Sequence, residues 1–406
     1  MAEPTPAPTP AAPTGHGPDV RLLRSITLRN ILSFGPDTPP LELRALNVLI
    51  GPNGSGKSNL LDAVELLKKA PDAENLRAAL KADHWMHKAK PEADTINIEI
   101  IVRREFSNEI ITHDFNIRED PFSLGWSIEE GIESTILNRG SSIVKREFRS
   151  DVQGVMVLSD EEETYIPRTV FNYTASCLFQ LRNVKQYNAL THLSVRYRQI
   201  RLYREWTFGR NSGPRLPRPT DERNDFLAED GSNLGLVLNK LRTYPEVKDQ
   251  FISALNELYE GIKDFDVLVE GNTAQIFLRE GNTSIPATRL SDGTLRYLCL
   301  LAILLHPTPP PLICLEEPEL GLHPDAVVAV GKLIKAASLR TQLIVTTHSQ
   351  ILIDTFQESP EDVVVVSKED GSTHFRRLDA DKLRPYLATE SLGNLWNSGQ
   401  FGGNRW

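Results

Sequence analysis

Short apolar runs alternate with polar turns along most of this chain from Val20 onward. The clearest pattern is an apolar strand, a glycine-rich loop and an amphipathic helix in LNVLIGPNGSGKSNLLDAVELLKKA, residues 46–70. TINIEIIVRREF, IITHDFNIRE and GVMVLSD follow, with strand-like composition and polar turns between them. These runs predict an antiparallel sheet beside the strand that leads into the glycine-rich loop.

The second half of the chain predicts a parallel sheet. PLICLEE and TQLIVTTHS are apolar enough to be strands buried on both faces, and HPDAVVAVGKLIKAASL between them has helical periodicity. DVVVVSKEDGSTHFRRL, nearer the end, predicts a hairpin. We therefore expect an α/β fold in which a mixed sheet with a parallel core is joined by an antiparallel β subdomain and a helical insertion.

The same pattern divides the chain into four segments. Residues 1–19 are rich in Pro, Ala and Thr and are expected to form a disordered tail. Residues 20–175 are expected to form the first lobe of a nucleotide-binding unit, and 176–262, which are mostly helical in pattern, an insertion. Residues 263–406 would complete the unit as a second lobe.

Composition narrows the classes of function. The N-terminus lacks the apolar segment of a secretory signal, and no apolar run reaches the roughly 20 residues that a membrane-crossing helix needs. Cys177, Cys299 and Cys314 are too widely separated to suggest a disulfide framework or a zinc site, so we expect a reducing cytoplasm. The net charge of −9 argues against a generally basic nucleic-acid-binding protein but leaves a local basic surface open.

The glycine-rich loop GPNGSGKS fits the P-loop pattern G-x-x-x-x-G-K-S and stands between a predicted strand and a predicted helix. Its glycines let backbone N–H groups approach phosphate oxygens, and the helix N-terminus adds partial positive charge. Lys57 is expected to reach the β- and γ-phosphates of ATP, and Ser58 to bind Mg²⁺. The expected nucleotide-binding residues of this loop are Gly51, Pro52, Asn53, Gly54, Ser55, Gly56, Lys57, Ser58 and Asn59.

Two later strands end in residues that suit phosphoryl transfer. LICLEEPELGLHP ends a buried strand in two carboxylates, and parallel strands present their carboxyl ends at one edge of a sheet. Glu316 is expected to bind Mg²⁺ directly or through water, and Glu317 to act as general base toward the attacking water. LIVTTHSQ places His348 at the end of the next strand, where a contact to the γ-phosphate or a purely structural role would both fit.

The stretch LSDGTLRYLCL, residues 290–300, resembles the signature motif of ABC-type ATPases. In that motif a serine and a glycine at a helix N-terminus bind the γ-phosphate of a nucleotide held by another subunit, and Ser291 and Gly293 occupy those places. Ser291 is equally suited to be an ordinary helix N-cap. Capping alone does not explain the ordered set of P-loop, signature, double carboxylate and histidine.

Together these motifs make the chain similar to ABC-type ATPases of the RecF, SMC and OLD-like group, often called AAA family ATPases. The resemblance covers nearly everything after the tail and implies a P-loop NTPase head without a long coiled coil. It implies Mg²⁺-dependent hydrolysis of ATP in a homodimer that encloses two ATP molecules, each held by the P-loop, Glu317 and His348 of one subunit and by Ser291 and Gly293 of the other.

The resemblance also implies a Q-loop glutamine that contacts Mg²⁺ and water, and SCLFQL suggests Gln180 for this role. Two residues depart from the broader pattern. Glu316 stands where most ABC ATPases have aspartate, and Asp292 stands where the signature usually has glycine. The second departure puts the identity of the contact to the other subunit's nucleotide in doubt, though not its location.

A nucleotide-binding subunit of an ABC transporter shares these motifs and is a remote alternative. The spacings from Lys57 to Gln180 and from Gln180 to Ser291 are longer than such a subunit usually needs. Proteins of the OLD type often continue into a Toprim nuclease domain, and the chain after His348 is too short for one. We therefore expect any effector, such as a Toprim-like nuclease, to be a separate chain.

The stretch RYRQIRLYREWTFGRNSGPRLPR, residues 196–218, interleaves arginines with aromatic residues. Such a segment can hold nucleic acid by phosphate contacts and base stacking, or it can anchor a subdomain or a partner protein. Two uses of the ATPase therefore remain open: DNA maintenance or anti-phage defence on nucleic acid, and an ATP-gated scaffold for an effector without direct DNA binding. The candidate DNA contacts are Arg196, Arg198, Arg201, Arg204 and Arg210.

Overall fold

The computed structural model describes the chain between Asp19 and Phe401 with several short gaps. The described ranges are 19–76, 95–103, 109–119, 126–138, 141–151, 153–159, 162–183, 185–259 and 261–401. The predicted disordered tail lies outside them except for its last residue. Within these ranges no helix combines the length and the hydropathy that a membrane span requires. Cys177, Cys299 and Cys314 are all buried free thiols.

The described strands form three sheets. In the first half of the chain the strands are β1 (Leu23–Arg29), β2 (Leu41–Glu42), β3 (Leu46–Ile50), β4 (Thr95–Arg103), β5 (Glu109–Glu119), β6 (Trp126–Asn138), β7 (Ser141–Ser150), β8 (Gly154–Ser159) and β9 (Glu162–Pro167). In the second half they are β10 (Arg201–Tyr203), β11 (Arg218–Pro219), β12 (Ile262–Glu270), β13 (Thr273–Glu280), β14 (Thr283–Pro286), β15 (Leu312–Glu316), β16 (Gln342–Thr347), β17 (Val363–Glu369) and β18 (Ser372–Arg377).

The central sheet has six strands in the order β10, β15, β16, β3, β17, β18. The first five run parallel, and β18 returns antiparallel to β17 as the predicted hairpin. β1, β2 and β4 to β9 form an eight-stranded antiparallel sheet, and β11 to β14 form a four-stranded one. The predicted mixed sheet with a parallel core and the predicted antiparallel subdomain are both present.

The described α-helices begin with the helix that follows the glycine-rich loop. They are α1 (Lys57–Lys69), α2 (Cys177–Gln180), α3 (Asn188–Arg198), α4 (Leu234–Leu241), α5 (Pro245–Asn256), α6 (Asp292–Leu304), α7 (Pro324–Ser338), α8 (Gln350–Asp354), α9 (Ala380–Leu387) and α10 (Leu392–Asn397). The strand, loop and helix expected over residues 46–70 correspond to β3 and α1.

Side chains of the central sheet point alternately into two hydrophobic cores. Leu46, Val48 and Ile50 of β3 enter one core, and Leu49 between them enters the other. The first core contains α6, α7 and the four-stranded sheet, and the second contains α1 and the eight-stranded sheet. Because both faces of the sheet are covered, β15, β16 and β17 are near-continuous apolar runs, and their polar residues lie at the strand ends.

The segment 176–262 contains the predicted helices, and it also contributes strands to two of the sheets. β10 pairs in parallel with β15, with Tyr203 opposite Leu315, and β11 pairs with β13. The sequence pattern led us to expect a helical insertion here, and the structure adds an edge strand of the central sheet that this pattern did not indicate. The division of the chain into lobes at residues 175 and 262 stays a prediction.

Candidate functional site

The loop between β3 and α1 can be built only with glycine at two positions. Gly56 has φ 111°, and a Cβ atom there would lie 2.2 Å from Thr373 Oγ1. A Cβ atom on Gly51 would lie 2.3 Å from the carbonyl oxygen of Val366. The loop is therefore pressed against β17 and β18, and its main chain is left to face the cleft.

Polar side chains from distant parts of the chain fix the loop from behind. Thr373 Oγ1 donates to the carbonyl oxygen of Ser55 at 2.8 Å and shares a 2.6 Å hydrogen bond with Ser33 Oγ. Asn59 Nδ2 donates to the same Ser33 oxygen at 2.6 Å. Sequence reasoning missed Ser33 and Thr373, since neither belongs to a motif and they lie at opposite ends of the chain.

The start of α1 is suited to an anion. Its N-cap is Gly56, so no side chain caps the first N–H groups, and the first turn contains no acidic residue. Lys57 is buried there, and its Nζ donates to the carbonyl oxygens of Gly51 at 2.8 Å and Pro52 at 3.0 Å. Burial lowers the pKa of Lys57 to about 8, although the nearby carboxylates oppose that shift.

Ser58 and Glu316 meet across the cleft. Ser58 Oγ donates to Glu316 Oε1 at 2.5 Å, which brings a hydroxyl from α1 and a carboxylate from the end of β15 into one position. The second oxygen of that carboxylate, Oε2, accepts a hydrogen bond from Arg204 Nε at 2.8 Å. A hydroxyl and a carboxylate oxygen are ligands that Mg²⁺ accepts, so the pair predicted from sequence fits this metal.

Glu317 is held in a strained conformation beside His348. It has φ 45°, which is unusual for a residue with a side chain, and its N–H donates to the carbonyl oxygen of Thr346 at 3.0 Å. Its Oε1 lies 3.6 Å from His348 Nε2. Burial and the charge of Lys57 lower the pKa of His348 while Glu317 opposes them, and the net effect favours the neutral imidazole.

Glu319 ties the turn after β15 to the loop after β16, and no sequence argument singled it out. Its Oε1 accepts hydrogen bonds from Thr347 Oγ1 at 2.5 Å and from the backbone N–H of His348 at 3.2 Å. Burial raises the pKa of this carboxyl, and its Oε2 has no hydrogen-bond partner among the described residues. The residue therefore positions the strand end that carries His348.

Most of the predicted residues of the P-loop, with Glu316, Glu317 and His348, converge on one small cleft of about 130 Å³, whose lining does not include Gly51, Pro52 or Ser55. N–H groups and a lysine lie along one side and carboxylates along the other, which matches the charges of a nucleotide phosphate with its divalent cation. ATP and Mg²⁺ fit this set of groups. The lining residues are Asn53, Gly54, Gly56, Lys57, Ser58, Asn59, Glu316, Glu317, Thr346 and His348.

Gln180 is not among the residues that line this cleft. Its side-chain amide accepts from the N–H of Asn172 at 2.9 Å and donates to the carbonyl oxygens of Asn172 at 2.8 Å and Ala175 at 3.2 Å. The amide is thus engaged by its own loop in this conformation. A role as a magnesium and water contact would require those bonds to be exchanged, and it stays a prediction.

Ser291 and Gly293 also lie outside the cleft, at the start of α6. Ser291 is an exposed N-cap whose Oγ accepts from the N–H of Thr294 at 3.0 Å. A Cβ atom on Gly293 would lie 2.8 Å from the carbonyl oxygen of Gly321, so the helix start packs against the turn that follows the double carboxylate. The exposed cap is open to another molecule rather than to the cleft of its own chain.

The arginine-rich segment is mostly engaged within the protein. Arg198 pairs with a carboxylate and a backbone carbonyl just after α1. Arg201 donates to carbonyl oxygens of its own turn and lies over an aromatic ring. Arg204 lies beside the cleft and bonds to its carboxylate, Arg196 is half-buried, and Arg210 is exposed. The sequence left Arg204 open as a DNA contact or as an anchor within the protein, and the structure pairs its charge at the central sheet.

Comparisons with known proteins agree with this geometry. The sequence pattern of the family described as "AAA domain, putative AbiEii toxin, Type IV TA system" matches residues 46–354. A stretch of 62 residues is 45% identical to the chromosome partition protein Smc of Desulfitobacterium hafniense (strain Y51) and covers 15% of this chain and 5% of that protein.

Solved structures show the same fold at low sequence identity. An SMC head bound to the C-terminal winged-helix domain of ScpA is 14% identical, with a TM-score of 0.55, and the match covers 89% of this chain and 99% of that one. An SMC head with an extended coiled coil, bound to the C-terminal domain of ScpA derived from Pyrococcus furiosus, has a TM-score of 0.50 at 14% identity and coverages of 90% and 98%. The predicted ABC-type P-loop head is thereby confirmed.

Proposed function

Since this chain belongs to the AAA-domain family matched over residues 46–354, we propose that it is an ATP-binding and ATP-hydrolysing switch that uses Mg²⁺. The observation that carries the proposal is the convergence of Lys57, Ser58, Glu316, Glu317 and His348 on a single cleft. These residues come from α1 and from the ends of two neighbouring parallel strands, and each has a distinct part in phosphoryl transfer.

The N–H groups at the start of α1 and the ammonium group of Lys57 would hold the phosphates. Ser58 and Glu316 would hold Mg²⁺, which when bound offsets negative charge on the phosphate oxygens. Glu317 would accept a proton from the attacking water. The neutral imidazole ring of His348, which lies beside Glu317, would supply a hydrogen bond. The strained backbone of Glu317 fixes the direction in which its carboxylate points.

The switch would close as a head-to-head homodimer with two ATP molecules between the subunits. Support comes from the exposed N-cap Ser291 and from Gly293, which lie at a helix start outside the cleft of their own chain. In the dimer these residues would face the γ-phosphate held by the partner subunit. Hydrolysis would remove that phosphate and open the dimer.

Light scattering of the Glu317→Gln protein tests this proposal. The amide keeps the shape of the side chain but cannot take up the proton, so ATP and Mg²⁺ should trap the closed dimer. The mass should double with ATP and Mg²⁺ and stay monomeric without them. The double variant Lys57→Ala, Glu317→Gln is the control and should stay monomeric in both conditions. A molecular mass that is the same with and without ATP would contradict the ATP-gated dimer.

We further propose that the switch controls an effector protein supplied as a separate chain, such as a Toprim-like nuclease. The matched family's description names a component of a toxin–antitoxin system, and the SMC heads of similar fold were solved with a bound partner domain. Direct action on DNA, in its maintenance or in anti-phage defence, is the second candidate. The pairing of Arg204 and Arg198 with carboxylates favours the effector over DNA contact through this segment.

These two uses predict different measurements. Co-purification of the product of a neighbouring gene, unaffected by nuclease treatment, would support the effector-controlled switch. ATP turnover that rises on adding duplex DNA and falls steeply with salt would support direct action on DNA instead. A steep fall of the DNA-stimulated turnover with salt concentration indicates binding through phosphate contacts, and a shallow fall indicates a secondary effect of the polymer.

A further inference from the structure

The edge strand β10 brings an arginine to the back of the cleft. β10 pairs in parallel with β15, and Tyr203 lies opposite Leu315, so the next residues, Arg204 and Glu316, emerge side by side. Arg204 Nε donates to Glu316 Oε2 at 2.8 Å. Neighbouring parallel strands end at the same edge of a sheet, and this register makes the contact a consequence of the fold.

The guanidinium group of Arg204 also joins Glu316 to α1. Its Nη1 donates to Asp62 Oδ1 at 2.5 Å and lies 3.5 Å from Glu65 Oε2. The planar fork of arginine suits such simultaneous contacts to separate carboxylates, whereas lysine presents a single point charge. Three carboxylates surround Arg204, and Lys69 also pairs with one of them, Glu65, at 2.7 Å. These two cations leave the group with a net negative charge, so Arg204 does not create a net positive charge that would oppose a metal ion.

The contact comes from outside the nucleotide cleft. Arg204 lines a neighbouring cavity of about 500 Å³ with Asp62, Glu65 and Glu229, and it is not among the residues that line the cleft itself. Glu316 thus has one oxygen turned toward Ser58 and the other toward Arg204. Occupying Oε2 in this way leaves Oε1 facing the cleft.

The backbone that carries Arg204 is fixed on both sides. The buried hydroxyl of Tyr203 donates to the carbonyl oxygen of Leu227 at 2.9 Å, and Trp206 Nε1 donates to the carbonyl oxygen of Glu229 at 2.7 Å. A guanidinium group held on such a segment has a defined position, which a residue that orients another side chain requires.

We propose that Arg204 is a positioning residue that orients Glu316 for Mg²⁺ without touching the metal or the nucleotide. The inference rests on the proposed function, because it takes Glu316 as a magnesium ligand. Groups that hydrogen-bond to a metal-ligating carboxylate fix its orientation, and their loss commonly weakens metal binding by about 10- to 100-fold. The magnesium site therefore depends on an arginine that belongs to none of its sequence motifs.

Magnesium titration of nucleotide binding tests this role without measuring turnover. A fluorescent, non-hydrolysable ATP analogue is first bound to the protein in EDTA. Mg²⁺ is then added in excess of the EDTA, and the half-saturating concentration of free Mg²⁺ is read from the further change in fluorescence. Arg204→Ala should raise that concentration about tenfold or more, and Arg204→Lys should raise it less. Affinity for the analogue in EDTA should stay the same in both variants.

Arg279→Ala is the matched control, since Arg279 also pairs with a carboxylate but lies in the four-stranded sheet. It should leave the half-saturating Mg²⁺ concentration unchanged. Thermal unfolding checks that each variant is folded, and Arg204→Lys, which keeps the charge, provides the test if the alanine variant does not fold.

The outcomes separate this role from the function on which it rests. The proposed function would be contradicted if the wild-type protein bound no analogue, or if the fluorescence of the bound analogue did not change on adding Mg²⁺. A wild-type response to Mg²⁺ that Arg204→Ala and Arg204→Lys leave unaltered would overturn the positioning role alone. A lower half-saturating concentration in Arg204→Ala would also overturn it, because Arg204 would then compete with the metal.

Discussion

Lys57 is the residue at which the cost of building a phosphate site is clearest. Its ammonium group has hydrogen-bond partners in Gly51 and Pro52, yet burial still lowers its pKa to about 8. The ammonium group loses hydration on burial, and its contacts with two carbonyl oxygens and the charges of two neighbouring carboxylates compensate for that loss only in part. Without nucleotide, the folded protein carries an unfavourable buried charge that a bound phosphate would relieve.

This charge predicts a pH-dependent effect of Lys57→Met on stability. The pKa of Lys57 is about 8 in the folded protein against an ordinary value of 10.5, so below pH 8 both states hold the proton and the folded state bears the full penalty. Between pH 8 and 10.5 the folded state releases the proton first, and the penalty fades. The free energy of unfolding of Lys57→Met relative to wild type should therefore fall by on the order of 2 kcal/mol across this range.

Urea unfolding of nucleotide-free protein at pH 7.5, 9 and 10 measures this change. Lys263→Met, on an exposed position of β12, corrects for effects of the substitution itself. A difference between Lys57→Met and wild type that is constant with pH would show that the ammonium group is not destabilised by burial.

Single residues show how far sequence reasoning reaches at this scale. The P-loop, Glu316, Glu317 and His348 were predicted from residue type and order, because phosphoryl transfer requires those types at strand and helix ends, and they line one cleft. The φ of 45° at Glu317 was not foreseeable, since a glutamate gives no signal for the left-handed region. The role of Glu319 could not be predicted from sequence either, because it depends on a hydrogen bond from Thr347 at the end of a second strand.

Among the elements, helix α6 combines a structural and a proposed functional use of its N-cap residue. Ser291 caps the helix through a 3.0 Å hydrogen bond from the N–H of Thr294, and the buried side chains of Leu295 and Leu298 anchor the helix in the core. Both uses draw on the same unpaired N–H groups at a helix start. A substitution that keeps the cap but repels an anion can separate them.

Ser291→Asp and Ser291→Ala provide that separation in the Glu317→Gln background. Aspartate is as good an N-cap as serine, so stability should be kept, but its charge should repel the partner's γ-phosphate and abolish the ATP-dependent dimer. Alanine should lower the free energy of unfolding by about 1 kcal/mol and weaken the dimer less. Unfolding curves and light scattering measure the two effects, and an ATP-dependent dimer of Ser291→Asp would contradict the role across the interface.

The elements that sequence reasoning identified are those with long, local patterns. β15 and β16 were predicted because their apolar runs end in chemically distinctive residues, and α7 lies between them with clear helical periodicity. β10 was missed because it has only three residues and is defined by its partner β15 rather than by its own sequence. The sequence accordingly could not decide whether Arg204 is a DNA contact or an anchor within the protein, since its position beside Glu316 follows only from that pairing.

At the scale of the whole molecule, a buried polar side chain joins the central sheet to the eight-stranded sheet. Gln342, at the start of β16, is fully buried, and its side-chain amide spans the junction. Its Oε1 accepts from the N–H of Leu23 in β1 at 2.9 Å, and its Nε2 donates to the carbonyl oxygens of Leu23 at 2.7 Å and Arg44 at 3.1 Å. One amide thus replaces two strand-like hydrogen bonds between sheets that share no strand.

Gln342→Leu should destabilise the whole protein, because it leaves the N–H and the carbonyl of Leu23 without this partner in a buried position. Each unsatisfied buried group costs roughly 1–3 kcal/mol, so the free energy of unfolding should fall by about 3 kcal/mol. Gln275→Leu, on a half-exposed position of β13, makes the same chemical change away from the junction and should have a much smaller effect. Equal urea midpoints for the two variants would mean that the other contacts between the sheets suffice to join them, and that the buried amide is dispensable.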